Sequence, residues 1–126
     1  MHITLLRILS LLDVAKAQSE LAEHYEYGNG TKQNINKAIH LYTKAAEGNH
    51  AWSQNHLGSL LSNGKYNIPV NYEEAIKWFK KASEQGNLSG DMNLGWVHYY
   101  GFGVEQNLNK AFSYYSKSQS IPQAKK

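Results

Sequence analysis

Apolar and polar residues along this chain recur with the period of an amphipathic α-helix. Between residues 37 and 46 the apolar positions are Ala38, Ile39, Tyr42, Ala45 and Ala46. On a helix of 3.6 residues per turn these positions form one stripe. Upstream, a second stripe recurs every four residues, at Ala17, Leu21 and Tyr25. The pattern predicts two consecutive helices, each with one face turned to a core.

Both helical segments occur three times in the chain. The first segment aligns on Leu21, Leu57 and Leu94, at offsets of 36 and 37 residues. The second aligns on Lys37, Glu74 and Lys110, at offsets of 37 and 36. The extra residue of the middle copy falls between Gly64 and Tyr72, where a turn accepts an insertion without disturbing the helices. A period of this length predicts stacked helix-turn-helix repeats.

Turn-forming residues mark the same points in every copy. Glycine follows the first helix, where a left-handed residue closes the last turn, at Gly28, Gly64 and Gly101. Asparagine precedes the second helix, where its side chain caps a helix start, at Asn34, Asn71 and Asn107. Glycine also separates the copies, at Gly48 and Gly86. The fold class predicted is therefore all-α, with about three repeats.

The N-terminal residues fit the repeat as well. Ile3, Leu5 and Leu6 fall in register with Ile39, Leu41 and Tyr42, so residues 3–12 are interpreted as a half-repeat that covers the N-terminal edge. The alternative is a secretory signal cleaved at residues 15–17, which Arg7 inside the apolar run argues against. The run is too short to span a membrane.

The chain is thus interpreted as one domain with five parts: a capping helix at 1–13, repeats at 14–49, 50–86 and 87–120, and a tail at 121–126. Pro122 is expected to end the last helix. At the C-terminal edge, the apolar side of Phe112 and Tyr115 has three alternative roles. It is covered by Ile121, it binds a partner, or it joins two copies in a homodimer.

Composition and charge narrow the function further. The net charge is +3, the lysines are dispersed and Arg7 is the only arginine, which argues against a nucleic-acid site. The chain has no cysteine, which excludes disulfides and fits a cytoplasmic protein. Its six histidines form no metal motif, and His98 occupies a packing position. No catalytic constellation is present, so we expect no enzyme activity, no metal and no cofactor.

The residue pattern that the three copies share resembles the Sel-one-like repeat (SLR) family, which is related to the tetratricopeptide repeats. The third copy carries the resemblance best, through Leu94-Gly95, Gly101-Phe102-Gly103, Lys110-Ala111-Phe112 and Tyr114-Tyr115-Ser116-Lys117. Ala22 stands in place of the family glycine in the first copy, and His98 in place of a tyrosine in the third. The resemblance implies a right-handed α-α superhelix and an adaptor role, as in bacterial signalling, host contact or secretion-linked immunity.

By analogy with tetratricopeptide repeats, the first helices are expected to line a concave face that binds a protein or peptide. The candidate contact residues lie between the packing positions and change from acidic to polar to aromatic along the row. They are Ser19, Glu23, Glu26, Asn55, Ser59, Ser62, Met92, Trp96 and Tyr99. Trp96 and Tyr99 are the candidate anchors, since aromatic residues carry much of an interface's binding energy.

Two functions remain open from the sequence. The first is an adaptor or inhibitor that holds one protein in the concave face, a specific version being an immunity protein that neutralises a partner enzyme. The second is a structural unit, either self-associating through its edges or part of a longer solenoid. Concentration-dependent mass in solution separates the two.

Overall fold

The computed structural model describes residues 2–119, which form helices joined by short turns. Its seven α-helices follow one another without an intervening strand among the described residues. They are α1 (His2–Leu11), α2 (Ala15–Tyr27), α3 (Ile35–Glu47), α4 (Ala51–Asn63), α5 (Tyr72–Glu84), α6 (Leu88–Tyr100) and α7 (Leu108–Ser118). Within residues 2–119, none of these helices has the length and apolarity needed to cross a bilayer.

Each repeat is an antiparallel pair of helices. The A helices are α2, α4 and α6, and each packs on the B helix that follows it, α3, α5 or α7. Each B helix then packs on the A helix of the next repeat, and α1 occupies the corresponding place before α2. The predicted order of half-repeat and three full repeats is therefore the order of the helices in the structure.

The turn residues act as the sequence indicates. Asn34 Oδ1 accepts a hydrogen bond of 3.0 Å from the backbone N–H of Lys37, and Asn71 and Asn107 cap α5 and α7 in the same way. Gly28 and Gly101 adopt φ angles of +70° and +75° after the A helices. A side chain at such an angle is strained, which explains the glycines.

The core is a column of small and large side chains that alternate between helices. Tyr42 and Phe79, at equivalent positions of α3 and α5, are 0% and 2% exposed. Leu6 of α1 occupies the same repeat position and is 2% exposed, as expected for a half-repeat. Tyr115 of α7 also occupies it, yet it is 49% exposed. The column thus ends at an uncovered face in the described part of the chain; Ile121 and Pro122 lie outside that part.

The connection that contains the extra residue of the middle repeat begins with a short 3₁₀ turn, Lys65–Asn67, after α4. Tyr66 and Asn67 adopt left-handed φ angles of +59° and +61°. The turn directs the Tyr66 hydroxyl back toward the first repeat, where it donates a hydrogen bond of 3.1 Å to Glu26 Oε2. An insertion that appeared to be a spacer in the sequence therefore joins two repeats.

Replacing Gly58 with alanine is expected to lower the free energy of unfolding by about 1–3 kcal/mol, because the new Cβ overpacks the core. That Cβ would lie 2.6 Å from Cε1 of the buried Phe79 ring. Gly95 is the same position one repeat later, where a Cβ would lie 3.3 Å from the Ala111 carbonyl and 3.4 Å from the Tyr115 nitrogen. There the helix propensity of alanine offsets the tighter contact, and we expect a change within about 1 kcal/mol. Urea denaturation followed by circular dichroism measures both, and equal losses would contradict the packing difference.

Candidate protein-binding surface

The A helices carry all nine candidate contact residues, but the structure does not place them on one face. Glu23, Asn55, Ser59 and Ser62 are partly exposed, and Met92, Trp96 and Tyr99 are 38%, 46% and 43% exposed. Ser19 and Glu26 are buried, at 3% and 1% exposure. The predicted exposure of Ser19 and Glu26 is therefore wrong, because their side of α2 faces the next repeat and not the solvent.

Glu26 joins the first two repeats through a buried hydrogen-bond cluster. Tyr42 Oη of α3 donates to Glu26 Oε1 at 2.6 Å. His56 Nε2 of α4 lies 3.0 Å from the same oxygen, and Tyr66 Oη donates to Oε2. The Trp52 ring stacks on His56 with centroids 4.6 Å apart and covers the cluster. A carboxylate this buried needs such partners, since an unpaired charge would oppose folding.

The electrostatics of the cluster favour the ionised carboxylate. Burial by itself would raise the pKa of Glu26, but the hydrogen bonds from Tyr42, His56 and Tyr66 outweigh it and hold the pKa below its ordinary value. Burial and the neighbouring carboxylate raise the pKa of Tyr42, so its hydroxyl stays protonated as a donor. The cluster is therefore a structural junction, and its buried carboxylate is not available to a partner.

A different row of side chains forms the exposed face of the A helices. Successive members are separated by seven and then four residues, which places them on one side of a helix. We call this row the inner row, and each repeat contributes three residues to it. Its residues are Lys16, Glu23, Tyr27, Trp52, Ser59, Asn63, Ser89, Trp96 and Tyr100, each partly or fully exposed. Only Glu23, Ser59 and Trp96 were among the sequence candidates.

Ser19 and Glu26 were predicted to be exposed because the polarity of a position does not reveal which neighbour it faces. At one repeat position the residues are Ser19, Asn55 and Met92, and they differ in burial as much as in chemistry. The position of a residue around the helix axis is the usable signal. Residues two positions before the repeat leucines (Leu21, Leu57 and Leu94) lie on the side of the helix that faces an adjoining repeat. Asn55 illustrates this, since its Oδ1 accepts a 2.8 Å hydrogen bond from Asn93 Nδ2 of the next A helix.

The two ends of the inner row differ in chemistry. At the first repeat, a hollow between α1 and α2 is lined by His2, Glu20, Glu23, His24, Tyr27 and Asn29. At the third repeat, rings stack in sequence: Trp96 on Tyr100 with centroids 5.8 Å apart, Tyr100 on Phe102 at 5.3 Å, and Phe102 on Tyr72 at 5.4 Å. The row therefore runs from a carboxylate-bearing end to an aromatic end.

His98 lies in the core, as its repeat position indicates. It is 7% exposed and stacks on the Tyr114 ring with centroids 5.7 Å apart. Burial, together with Lys110 and Lys80, lowers its pKa, so the neutral imidazole is favoured. Across residues 2–119 the structure gathers no group of three His, Asp or Glu side chains that could hold a metal ion.

Comparison with known proteins identifies the repeat. A family model described as Sel1 repeat matches residues 15–50, 53–87 and 89–118. Protein sel-1 homolog 2 from Homo sapiens is 36% identical over 104 residues, which cover 81% of this chain and 15% of that protein. Chitin synthase regulatory factor 3 from Schizosaccharomyces pombe is 33% identical over 116 residues, which cover 89% of this chain and 12% of that protein. The chain thus spans less than a sixth of the length of either relative.

A solved structure gives the same fold. The crystal structure of a Sel1 repeat protein from Oxalobacter formigenes superimposes with a TM-score of 0.86 at 28% sequence identity, covering 92% of this chain and 47% of that one. The all-α superhelix of helix-turn-helix repeats predicted from the sequence is confirmed.

Proposed function

The chain belongs to the Sel1 repeat family, whose repeats serve protein–protein interaction and regulation, and on this premise we propose that it is a scaffold that holds one protein partner along the inner row. The observation that carries the proposal is the row itself. All three A helices contribute partly or fully exposed side chains to it at equivalent positions. A stacked helical array uses such an extended face for binding.

The chemistry of the row suits a segment with a basic end and an apolar end. On this side of α2, Glu23 of the row and the neighbouring Glu20 outnumber Lys16, although the whole chain carries a net charge of +3. At the third repeat, the exposed aromatic rings offer a flat apolar surface. Aromatic residues are common among those that contribute most of the binding energy of an interface. Trp52 lies between the two ends and is 43% exposed. The arrangement favours one orientation of the bound segment.

A regulatory role fits the name of the fission yeast relative, a chitin synthase regulatory factor. For this chain we propose the narrower form of that role already suggested by the sequence, an inhibitor or immunity protein that masks a partner enzyme. Binding along the inner row would occlude the partner's surface without any chemistry by the scaffold. A gene for a toxin-like enzyme beside this one would support that form.

Affinity capture with matched double variants tests the inner row. In one variant, Glu23→Lys and Tyr27→Ala change one carboxylate and one exposed ring of the row. In the control, Glu84→Lys and Leu108→Ala reverse one charge and remove one exposed apolar side chain on B helices, outside the inner row. We expect the partner identified with the wild-type chain to bind the control equally, and to bind the inner-row variant at least about tenfold more weakly. Titration calorimetry with the purified partner measures the affinities.

Circular dichroism confirms that both variants fold before binding is compared. All four positions are at least partly exposed, so neither variant removes a core contact. A partner held equally by the wild type and the inner-row variant would overturn the proposed site. A partner lost only by the control variant would instead place binding on the B helices or at the C-terminal edge.

A further inference from the structure

The C-terminal edge carries an apolar groove that is separate from most of the inner row. It lies between α6 and α7 and is lined by Gly95, Trp96, Tyr99, Ala111, Phe112 and Tyr115. Phe112 and Tyr115 are 60% and 49% exposed. Aromatic side chains grouped this closely at a surface mark an interaction site more often than scattered ones do.

The counterparts of the large groove residues are better covered at the two junctions inside the protein. At the first junction Glu26 and Tyr42, the counterparts of Tyr99 and Tyr115, are 1% and 0% exposed. At the second junction Ile76 and Phe79, the counterparts of Phe112 and Tyr115, are 8% and 2% exposed. At both junctions the A helix of the next repeat packs on the B helix that carries these residues, α4 on α3 and α6 on α5. The interior junctions therefore show what kind of element fits the groove.

The covering helix has a recognisable face. It presents a small residue to the preceding B helix, Ser53 in α4 and Gly90 in α6. The fit is close, because a Cβ at Gly90 would lie 3.1 Å from the Ala82 Cβ. Aliphatic residues four and seven positions later, such as Leu57 and Leu60, complete the buried stripe.

A hydrogen-bonding side chain next to the small residue fixes the register. Gln54 Nε2 donates to the Ala46 carbonyl at 3.1 Å, and Gln18 Nε2 donates to the Ser10 carbonyl at 3.2 Å. Those carbonyls lie at equivalent positions near the ends of α3 and α1. Asp91 takes this position in α6 and accepts a hydrogen bond from Ser83 Oγ. A free carbonyl at the end of a helix is a natural acceptor for such a residue.

We propose that the C-terminal groove binds one α-helix of a partner protein, with a small residue, then Gln or Asp, then aliphatic residues four and seven positions after the small one. The groove continues an interface that the protein builds twice within itself, and this continuity defines the occupant. The site extends the protein's interactions beyond the inner row, with Phe112 and Tyr115 as its own residues.

A second copy of the chain fits the groove less well than a partner helix of this pattern. The exposed face of α1 carries Leu5, Ile8 and Leu11, at 53%, 52% and 83% exposure, and these large residues stand where a small one is needed. The three A helices, which have the pattern, already pack on α1, α3 and α5. A copy would have to unfold an A helix to offer it.

A peptide copied from the protein's own α4 tests the proposal. The probe is residues 50–64, stapled between positions 55 and 59 because an isolated helix of this length is marginal in water. Those positions are partly exposed and outside the buried stripe. Titrated into the ¹⁵N-labelled chain, the peptide is expected to shift the amide resonances of α6 and α7 around the groove. A matched peptide with Ser53→Leu should bind at least about tenfold more weakly.

Protein variants separate this groove from the inner row. Phe112→Glu should weaken peptide binding at least about tenfold, and Tyr27→Ala should leave it unchanged. Shifts centred on the inner row of α2 and α4, equal binding of both peptides, or no binding at millimolar peptide would overturn the proposal. So would a dimer in sedimentation equilibrium that Phe112→Glu abolishes while the peptide fails to bind. Binding seen only when the chain ends at residue 119 would assign the groove to residues 120–126.

Discussion

Replacing Tyr42 with alanine is expected to lower the free energy of unfolding by about 3–5 kcal/mol, the range for removing a fully buried aromatic side chain. Tyr42 is 0% exposed, contacts the His56 ring with centroids 4.8 Å apart, and donates the 2.6 Å hydrogen bond to Glu26. The substitution leaves a cavity between the first two repeats and removes one donor from a buried carboxylate. Urea denaturation followed by circular dichroism measures the loss.

Tyr115→Ala is the matched control, because Tyr115 occupies the same repeat position in α7. It is 49% exposed, and no helix among the described residues covers it. We expect a loss of about 1 kcal/mol or less, since much of that side chain is already in water. Equal losses for the two variants would mean that position in the repeat, and not burial at a junction, determines the stability. Tyr42→Phe supplies an intermediate case, because it keeps the ring and removes only the hydroxyl.

This contrast also shows how far the sequence predicts the fold. Leu6, Tyr42, Phe79 and Tyr115 are recognisable as one repeat position from the 36- or 37-residue spacing alone. The same spacing predicted the order of the helices, the asparagine caps and the left-handed glycines after the first helices, because these depend on local sequence. What the spacing could not predict is the difference between a position inside the stack and the same position at its edge. Burial depends on what packs against a residue, and a repeat pattern is identical in both places.

The candidate site was harder to predict for a related reason. Within an A helix, Glu23 and Glu26 are three residues apart and chemically identical, yet one is partly exposed and the other is 1% exposed. The difference arises from the elements packed around Glu26, namely α3, α4 and the inserted turn, whose Tyr66 lies 40 residues further along the chain. A contact of that range is not encoded in the local pattern of either helix. Sequence reasoning therefore gave the wrong exposure for Ser19 and Glu26, whereas the other seven candidates are partly or fully exposed.

The two junctions inside the solenoid are consequently not equivalent. The first is polar, with a buried carboxylate that takes hydrogen bonds from α3, α4 and the inserted turn. The second is apolar around Phe79, where the counterpart of Glu26 is Ser62. The ionised Glu26 makes the coupling between the first two repeats depend on pH. The second junction carries a buried carboxylate as well, Asp91 of α6, which accepts a hydrogen bond from Ser83 of α5.

Glu26→Ala is expected to lower the free energy of unfolding at pH 7 by about 2–4 kcal/mol, because it leaves the buried Tyr42 hydroxyl without its acceptor and opens a cavity. Glu23→Ala, three residues earlier on the same helix and partly exposed, is the matched control and should change stability by about 0.5 kcal/mol or less. Urea denaturation at pH 7 compares the two variants with the wild type.

The loss caused by Glu26→Ala should shrink as the pH falls. The folded protein holds the pKa of Glu26 below the ordinary value of 4.5, so the charged carboxylate contributes stability that is fully present above pH 4.5. That contribution disappears as the pH falls through the lowered pKa, because the folded and unfolded chains are then both protonated at this group. Glu26→Gln, which keeps the shape and removes the charge, should converge with the wild type over the same interval. A difference between wild type and Glu26→Gln that stayed constant from neutral to acidic pH would show that the carboxylate's charge does not stabilise the junction.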